Sequence, residues 1–487
     1  MDFSKLSPWF IHIRTRPLLF TALISVLLSC IAIAGVVTIG KDGALYIDTA
    51  QKITEYGPAV AFERFNWPWF SFLLSYSHQA TGLAYETIAY LYSIFFMTGL
   101  CVTLVSVVKA KEPEAVWWAV LLVLSIPVFN SFRYEIIRDT GFWFFSVLSL
   151  RLAMQYNVSF LAGLGIQLCI ALAALFRFEA AFLLPALFVY VVFFKPVESA
   201  KHRLAQVLSF FSLSMGLLFL LVIYFFVSGA ALQERIQQQL AMINPLAIYE
   251  SFKVKSEIIV AHGFAKWAVA DAPVILLAGV FAAIIFRVLT YIGISSFLFA
   301  SGNARSAFLK SFSSYKVFLV SAFFYFIILY VFFIQAGFTN SRYISLFVVL
   351  LVPCLAGMVF SYFKAKPKLL AAFVTVSILF SVANVVSTSV KKTHYLEAAK
   401  WIESNLSLDD KIYFEDYRIS YYAGFGYSLE GGADFYEIIN DESKPYSYYV
   451  FELKESQQLQ DALNANNAQI VTSFTNGKKT ILIIKRQ

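Results

Sequence analysis

The chain has 487 residues and a formal net charge of +8, from 38 Lys and Arg against 30 Asp and Glu. Hydrophobic residues make up 59% and charged residues 14%, with a mean hydropathy of +0.70, whereas ordinary globular domains carry about 25% charged residues. So little charge cannot cover a water-soluble fold, which leaves lipid as the solvent for most of the chain. The basic residues sit mostly in short loops between apolar runs, where they set topology and meet anionic headgroups, so the charge is no argument for nucleic acid.

In chain order, apolar windows of about 20 residues with little or no charge fall near 17–40, 85–108, 115–130, 140–156, 158–176, 179–194, 206–228, 272–298, 316–337, 343–362 and 369–390. They predict a polytopic α-helical membrane protein of about eleven spans. The first window is longer than a signal-peptide h-region and has no clear cleavage site before Lys41, so it reads as a retained helix. Basic clusters at Lys5, Arg14 and Arg16, at Lys109 and Lys111, at Lys195, Lys201 and Arg203, at Arg305, Lys310 and Lys316, and at Lys364, Lys366 and Lys368 fall on alternate loops. The positive-inside rule then puts the N-terminus in the cytoplasm and the C-terminus outside. Two long outside loops follow from this, about 41–84 and 229–271, and both have amphipathic stretches suited to surface helices. In the first, Asp42, Tyr46 and Ala50 recur at a four-residue spacing, on one helical face.

Near Lys391 the composition changes. A helix, a strand over Lys411–Phe414, the apolar strand SYYVFEL, a polar helix and two strands joined across Asn476-Gly477 predict a small α/β domain over 391–487. The membrane part is then 1–390. The four cysteines all lie in apolar runs and share no ligand spacing, and the five histidines are scattered, so neither type forms a metal set.

No Walker loop, G-x-S-x-G, H-E-x-x-H or paired C-x-x-C is present. What stands out is charge at the outside ends of apolar spans, where ionisable groups are costly and usually have a partner or a task. Asp42 follows the first span; Arg138 and Asp139 precede the fourth; Arg177 and Glu179 separate the fifth and sixth; Arg342 and Tyr343 open the tenth. Each has a plainer reading: a helix cap for Asp42, a local charge pair for Arg177 and Glu179, an interfacial anchor for Arg342. Placed together on one side, they suit transfer from a phosphate-linked donor, with arginines on the departing phosphate and a carboxylate taking a proton from an attacking hydroxyl.

The segment KDGALYIDTAQKITEYG, followed by RFNWPWFSFLLSYSHQATG, resembles the first periplasmic loop of GT-C glycosyltransferases. The likeness is to the bacterial branch of protein O-mannosyltransferases, lipid A aminoarabinose transferases and lipopolysaccharide-core transferases. Asp42, Tyr46, Ala50, Gly57 and Pro68 match its pattern, Asp139 matches a second acid seen in the aminoarabinose enzymes, and RFEAAFLLPAL and SRYISLF resemble further family segments. Gly43 stands where many relatives have a second acid, and Asn66-Trp67-Pro68 replaces a basic-Pro pair, which hands a phosphate contact there to Arg64.

The resemblance implies an inner-membrane hexosyl or pentosyl transferase, metal-independent or weakly dependent on a divalent cation. It would move a sugar from a polyprenyl-phosphate donor to a glycan, lipid or protein hydroxyl on the periplasmic face. Asp42 would be the general base, Asp139 would position acceptor or sugar, and Tyr46, Arg64, Arg138, Arg177, Glu179, Arg342 and Tyr343 would bind donor phosphate or sugar. Two other readings compete: an O-antigen-type polymerase or ligase, which would use arginine-rich outside loops, and a lipid-linked-sugar transporter or flippase, which would carry ionisable groups at the bilayer midplane. Arg235 is the sole basic residue in the first half of the second long loop, and only Arg287 and Arg151 fall inside spans.

Overall fold

The structure is a computed structural model. It describes residues 15–156, 159–195, 199–227, 244–263, 270–386, 390–441, 443, 446–454 and 456–486. Arg235, most of the first half of the second long loop, and the basic residues Lys5 and Arg14 lie outside the described residues. The chain divides into two compact units: Met1–Leu28, Phe95–Phe132 and Asp139–Val385 form the first, and Ser29–Ile94, Arg133–Arg138 and Val386–Gln487 the second.

The first unit is helical. Its hub is the Ser341–Ala365 helix, buried on nearly every side from Ile344 to Val359. Asn340 starts it by accepting from the backbone N–H groups of Arg342 and Tyr343, so two otherwise orphaned donors are satisfied. Pro353 lies within this helix, where its ring removes one backbone bond, a loss that neighbouring helices tolerate in membrane proteins. The Lys316–Ala336, Gly302–Ser311, Val116–Ser125 and Ala272–Ile292 helices pack around it. Several predicted spans are not single straight helices. Residues 178–194 run as a 3-10 turn, an α-turn and a π-turn in succession, and Ile126 breaks 116–130 into two helices just before Pro127.

Six helices among the described residues are long and apolar enough to cross a membrane, and three shorter apolar helices accompany them. The Ala272–Ala300 and Pro367–Val385 segments bury only 22% of their apolar windows, against 78% for the hub helix. The remainder must face hydrocarbon, because such surface would not persist in water. On Pro17–Ala34 the outward stripe is Leu19, Leu23, Leu27 and Ile31, all exposed and four residues apart.

The second unit combines the first long loop with the C-terminal segment. Lys41–Tyr56 is an amphipathic helix whose buried face includes Ala44, Ile47, Ala50 and Ile53. It packs on the Trp69–Thr81 helix and ends at Gly57, whose φ of +88° favours glycine. The C-terminal sheet has the order β1-β2-β4-β3, built from β1 Ile412–Phe414, β2 Tyr448–Glu452, β3 Ala468–Thr475 and β4 Thr480–Arg486. β1 and β2 are parallel, and the other pairs antiparallel. Ile481 to Ile484 in β4 are all buried, since helices cover both faces. Thr393–Asn405 packs against Ile481 and Ile483, and the Phe435–Ile439 and Gln457–Ala465 helices against Leu482 and Ile484. The fold is therefore a polytopic α-helical membrane protein with a small C-terminal α/β domain, as its sequence predicts.

Candidate active site

In the first unit the structure brings Asp139, Arg177, Glu179 and Tyr343 together. Arg177 ends the Phe160–Phe176 helix in extended conformation, which turns its side chain off the helix. Its Nη1 donates to Asp139 Oδ1 at 2.5 Å and its Nη2 to Glu179 Oε1 at 2.5 Å. The guanidinium lies 4.4 Å from the centre of the Tyr343 ring. The Tyr325 hydroxyl donates to the Tyr343 carbonyl at 2.9 Å, steadying the start of the hub helix. The one guanidinium thus bridges two carboxylates. Asp139 is buried with its side chain 3% exposed, whereas the Glu179 side chain is 35% exposed, so Glu179 is the member that a ligand reaches first. Arg177 Nε is buried without a hydrogen-bond partner. Arg342 is half-buried in the first turn of the hub helix.

In the second unit Asp42 occupies the first turn of the Lys41–Tyr56 helix, half-buried, where the helix dipole favours a carboxylate. Its charge reaches the Tyr427 phenol, whose ionisation is opposed by burial first and then by Tyr417, Asp42 and Asp416. Tyr46 is buried with its ring 5.8 Å from Phe65 and 5.5 Å from Phe70. Arg64 is committed to the helix: it pairs with Asp48, donates to Thr49 Oγ1 at 3.1 Å and to the Tyr427 carbonyl at 3.0 Å. Lys52 adds a second cation 3.6 Å from Asp48. Gly426, at φ +73°, sits where a Cβ would come within 2.7 Å of Asp48 Oδ1. Arg138 donates to the Trp67 carbonyl at 3.4 Å.

Residues 416–422 of the C-terminal segment lie against the same helix. Lys41 pairs with Asp416 at 3.5 Å, Arg418 grips Asp416 with two side-chain bonds of 2.8 and 2.6 Å, and the Ile39 N–H donates to the Tyr422 hydroxyl at 2.9 Å. Asp48, Asp416, Arg418 and Tyr422 are absent from the sequence-derived set. Only Asp48 had a local signal, its four-residue spacing to Lys52.

Burial opposes the charged form of Asp416, but hydrogen bonds and charge from Arg418, with Lys41 beyond, outweigh it and hold the carboxyl at about 2. Its unfolded value is near 3.8. Folding therefore favours the ionised form, and the resulting stability is complete above about pH 4 and drains as pH falls toward 2, roughly 2 kcal/mol in all. Asp416→Asn should therefore be less stable than the wild type at pH 6, with the gap narrowing steadily toward pH 2 in thermal unfolding of the detergent-solubilised chain. A gap independent of pH would refute this.

Geometry and composition define an integral membrane protein whose acids and arginines gather at helix ends. No protein-family model matches the chain, and no curated protein matches its sequence. Among solved structures it is similar to ArnT from Cupriavidus metallidurans in the apo state, at 12% identity, with 96% of this chain and 97% of that one covered and a TM-score of 0.43. The crystal structure of ArnT from the same organism bound to undecaprenyl phosphate gives 12% identity, the same coverage and a TM-score of 0.46.

Proposed function

We propose that this chain is a membrane glycosyltransferase that moves a sugar from a polyprenyl-phosphate donor to a hydroxyl acceptor on the outer face of the membrane. The observation that carries the reading is the division of labour between the two acids of the Lys41–Tyr56 helix. Asp48 is buried and neutralised by Arg64 and Lys52, whereas Asp42 is half-buried on the first turn, where the helix N-terminus favours the carboxylate that would take the proton.

In the proposed reaction the acceptor oxygen attacks the anomeric carbon and its proton passes to the Asp42 carboxylate. The carbon–oxygen bond to phosphate breaks, and polyprenyl phosphate leaves with the electron pair. Arg138, in the same unit as Asp42, is the group that would meet phosphate or sugar. The C-terminal segment, seated on the Asp42 helix through Asp416 and Tyr422, would complete the acceptor side.

The test is donor choice. Proteoliposomes holding the full chain should consume a labelled polyprenyl-phosphate hexose and ignore the matching nucleotide hexose. Use of the nucleotide sugar alone would end this reading. A reporter at Lys391 should locate outside the cytoplasm; a cytoplasmic Lys391 would place the acids on the wrong face.

A further inference from the structure

Two breaks in the helical backbone of the first unit meet, and a cavity of about 490 Å³ lies beside them. The Ala272–Ile292 helix stops at Gly293, whose φ of +68° favours glycine, and the chain continues to Ala300 as a 3-10 turn. Opposite it, Ile126 is extended and separates the Val116–Ser125 helix from Pro127–Asn130. A Cβ at position 293 would come within 3.0 Å of Pro127 Cδ, so the two breaks sit close together. The Leu370–Val385 helix adds a further wall through Val376, Ser377 and Phe380. Non-helical backbone inside a membrane-spanning unit persists where it is buried in protein or lines a cavity, and both conditions meet here.

The wall is mostly apolar, with Ile126, Leu289, Ile292 and Ile294 in it, and it bears no charged residue. Ser295 and Ser377 also line it; each is 1% exposed, and neither hydroxyl has a hydrogen-bond partner among the described residues. Serine in a helix commonly bonds the carbonyl one turn back, as Ser345 does to Ser341. Hydroxyls nearby are committed: Thr290 donates to the Phe286 carbonyl at 2.9 Å, and Ser381, one turn on from Ser377, donates to the Leu124 carbonyl at 2.5 Å. A buried hydroxyl left without a bond is costly, so the two orphans mark where a ligand would be held. The mouth of the cavity shows which solvent supplies that ligand. Phe297 and Phe380 line it and are 78% and 50% exposed, on the two segments that bury only 22% of their apolar windows. The cavity therefore opens toward hydrocarbon.

Two unpaired donors in an apolar, lipid-facing cavity call for hydrocarbon that carries an acceptor. A polyprenyl chain offers hydrocarbon without one, and a sugar or a phosphate brings more polarity than this wall can meet. A fatty acyl ester offers both, since its carbonyl oxygen has two lone pairs and its chain is apolar. From the cavity, its orphan hydroxyls and its mouth, we infer that the first unit binds one acyl chain of a bilayer glycerophospholipid here, with the ester carbonyl accepting from the Ser295 and Ser377 hydroxyls. This lipid is a different ligand from the proposed sugar donor, and it holds the two helix breaks together. The inference goes beyond the transferase reading and does not rest on it.

The full chain in detergent, stripped of lipid and reloaded, tests it. The probes are dioleoyl phosphatidylglycerol and its dialkyl ether analogue with the same headgroup and chains, and binding is read by native mass spectrometry. The wild type should hold the ester lipid about ten-fold more tightly than the ether. Ser295→Ala and Ser377→Ala should each cut that ratio about three-fold, within the usual worth of one neutral hydrogen bond. Stability should change sign with lipid. Without it each variant should unfold at or above the wild-type temperature, because an orphan hydroxyl is gone; with the ester lipid it should unfold below. Equal retention of ester and ether by the wild type overturns the site, and that comparison needs no variant. An unchanged ratio in both variants overturns it too. So does a variant less stable than the wild type without lipid, which would mean that water already holds the hydroxyl. Displacement of the ester lipid by equimolar polyprenyl phosphate would give the cavity to the donor and overturn the inference as well.

Discussion

Asp42→Asn is expected to reduce sugar transfer from polyprenyl-phosphate hexose by about 10²–10⁴-fold while the protein stays folded, which is the usual range for removing a positioned general base. Asn keeps the size of the side chain and can still accept a hydrogen bond, so the loss would isolate proton removal. The side chain sits on the first turn of an amphipathic helix anchored by Ile47, Ala50 and Ile53. Thermal midpoints check that the variant is folded at the assay temperature, so that the loss is read on native protein. Asp48→Asn should behave in the opposite way, since it leaves the mostly buried Arg64 without its carboxylate and thus lowers stability before it affects chemistry. If Asp42→Asn transfers sugar as fast as the wild type, the proton goes elsewhere and the role assigned to Asp42 is wrong.

The parts of this architecture that the sequence reveals are those encoded by local period. Apolar windows mark the helices because each must hide its backbone from lipid within its own segment. β3 and β4 are visible because a β-rich run, a turn at Asn476-Gly477 and another such run specify a hairpin locally. The Asp139–Arg177–Glu179 grouping is legible for a related reason: charge at the end of an apolar run has few places to go, and facing ends find one another.

Pairings that need the chain to return from far away leave no such trace. Nothing local in KDGALYIDTA announces that Lys41 will meet Asp416 or that Asp48 will be claimed by Arg64. The four-residue spacing of Asp42, Tyr46 and Ala50 identifies a helical face without saying what covers it. In the structure Tyr46 is wedged between Phe65 and Phe70, and the next turn down carries the fully buried Ala50. Tyr325 escapes notice in FFYFIILY for a similar reason: its hydroxyl is placed under Tyr343 by packing of two long helices, and packing has no signature in either segment alone.

Arg177→Met should destabilise the protein by about 3–5 kcal/mol, the cost of leaving a buried charge without its partner. The reasoning turns on burial. The Arg177 side chain is 7% exposed and that of Asp139 3%, so once the guanidinium is gone the Asp139 carboxylate can neither reach water nor keep its bond. Asp139→Asn should cost clearly less, because Arg177 retains Glu179 and the Tyr343 ring and the amide oxygen still accepts from Nη1. Arg177→Lys should not restore the wild type. One ammonium cannot span two carboxylates in fork geometry, nor stack its charge flat on a ring. Thermal unfolding of the three variants in one detergent gives the ordering, with Arg177→Met lowest, Arg177→Lys next and Asp139→Asn nearest the wild type. Equal midpoints for Arg177→Met and Asp139→Asn would mean that the cluster is hydrated and its charges replaceable. Transfer activity separates the roles further: in Arg177→Lys protein that is still folded at the assay temperature, a loss confined to donor KM points to phosphate contact. A loss in kcat at unchanged KM points instead to Glu179, whose carboxylate Arg177 aims, as the group that matters in the transition state.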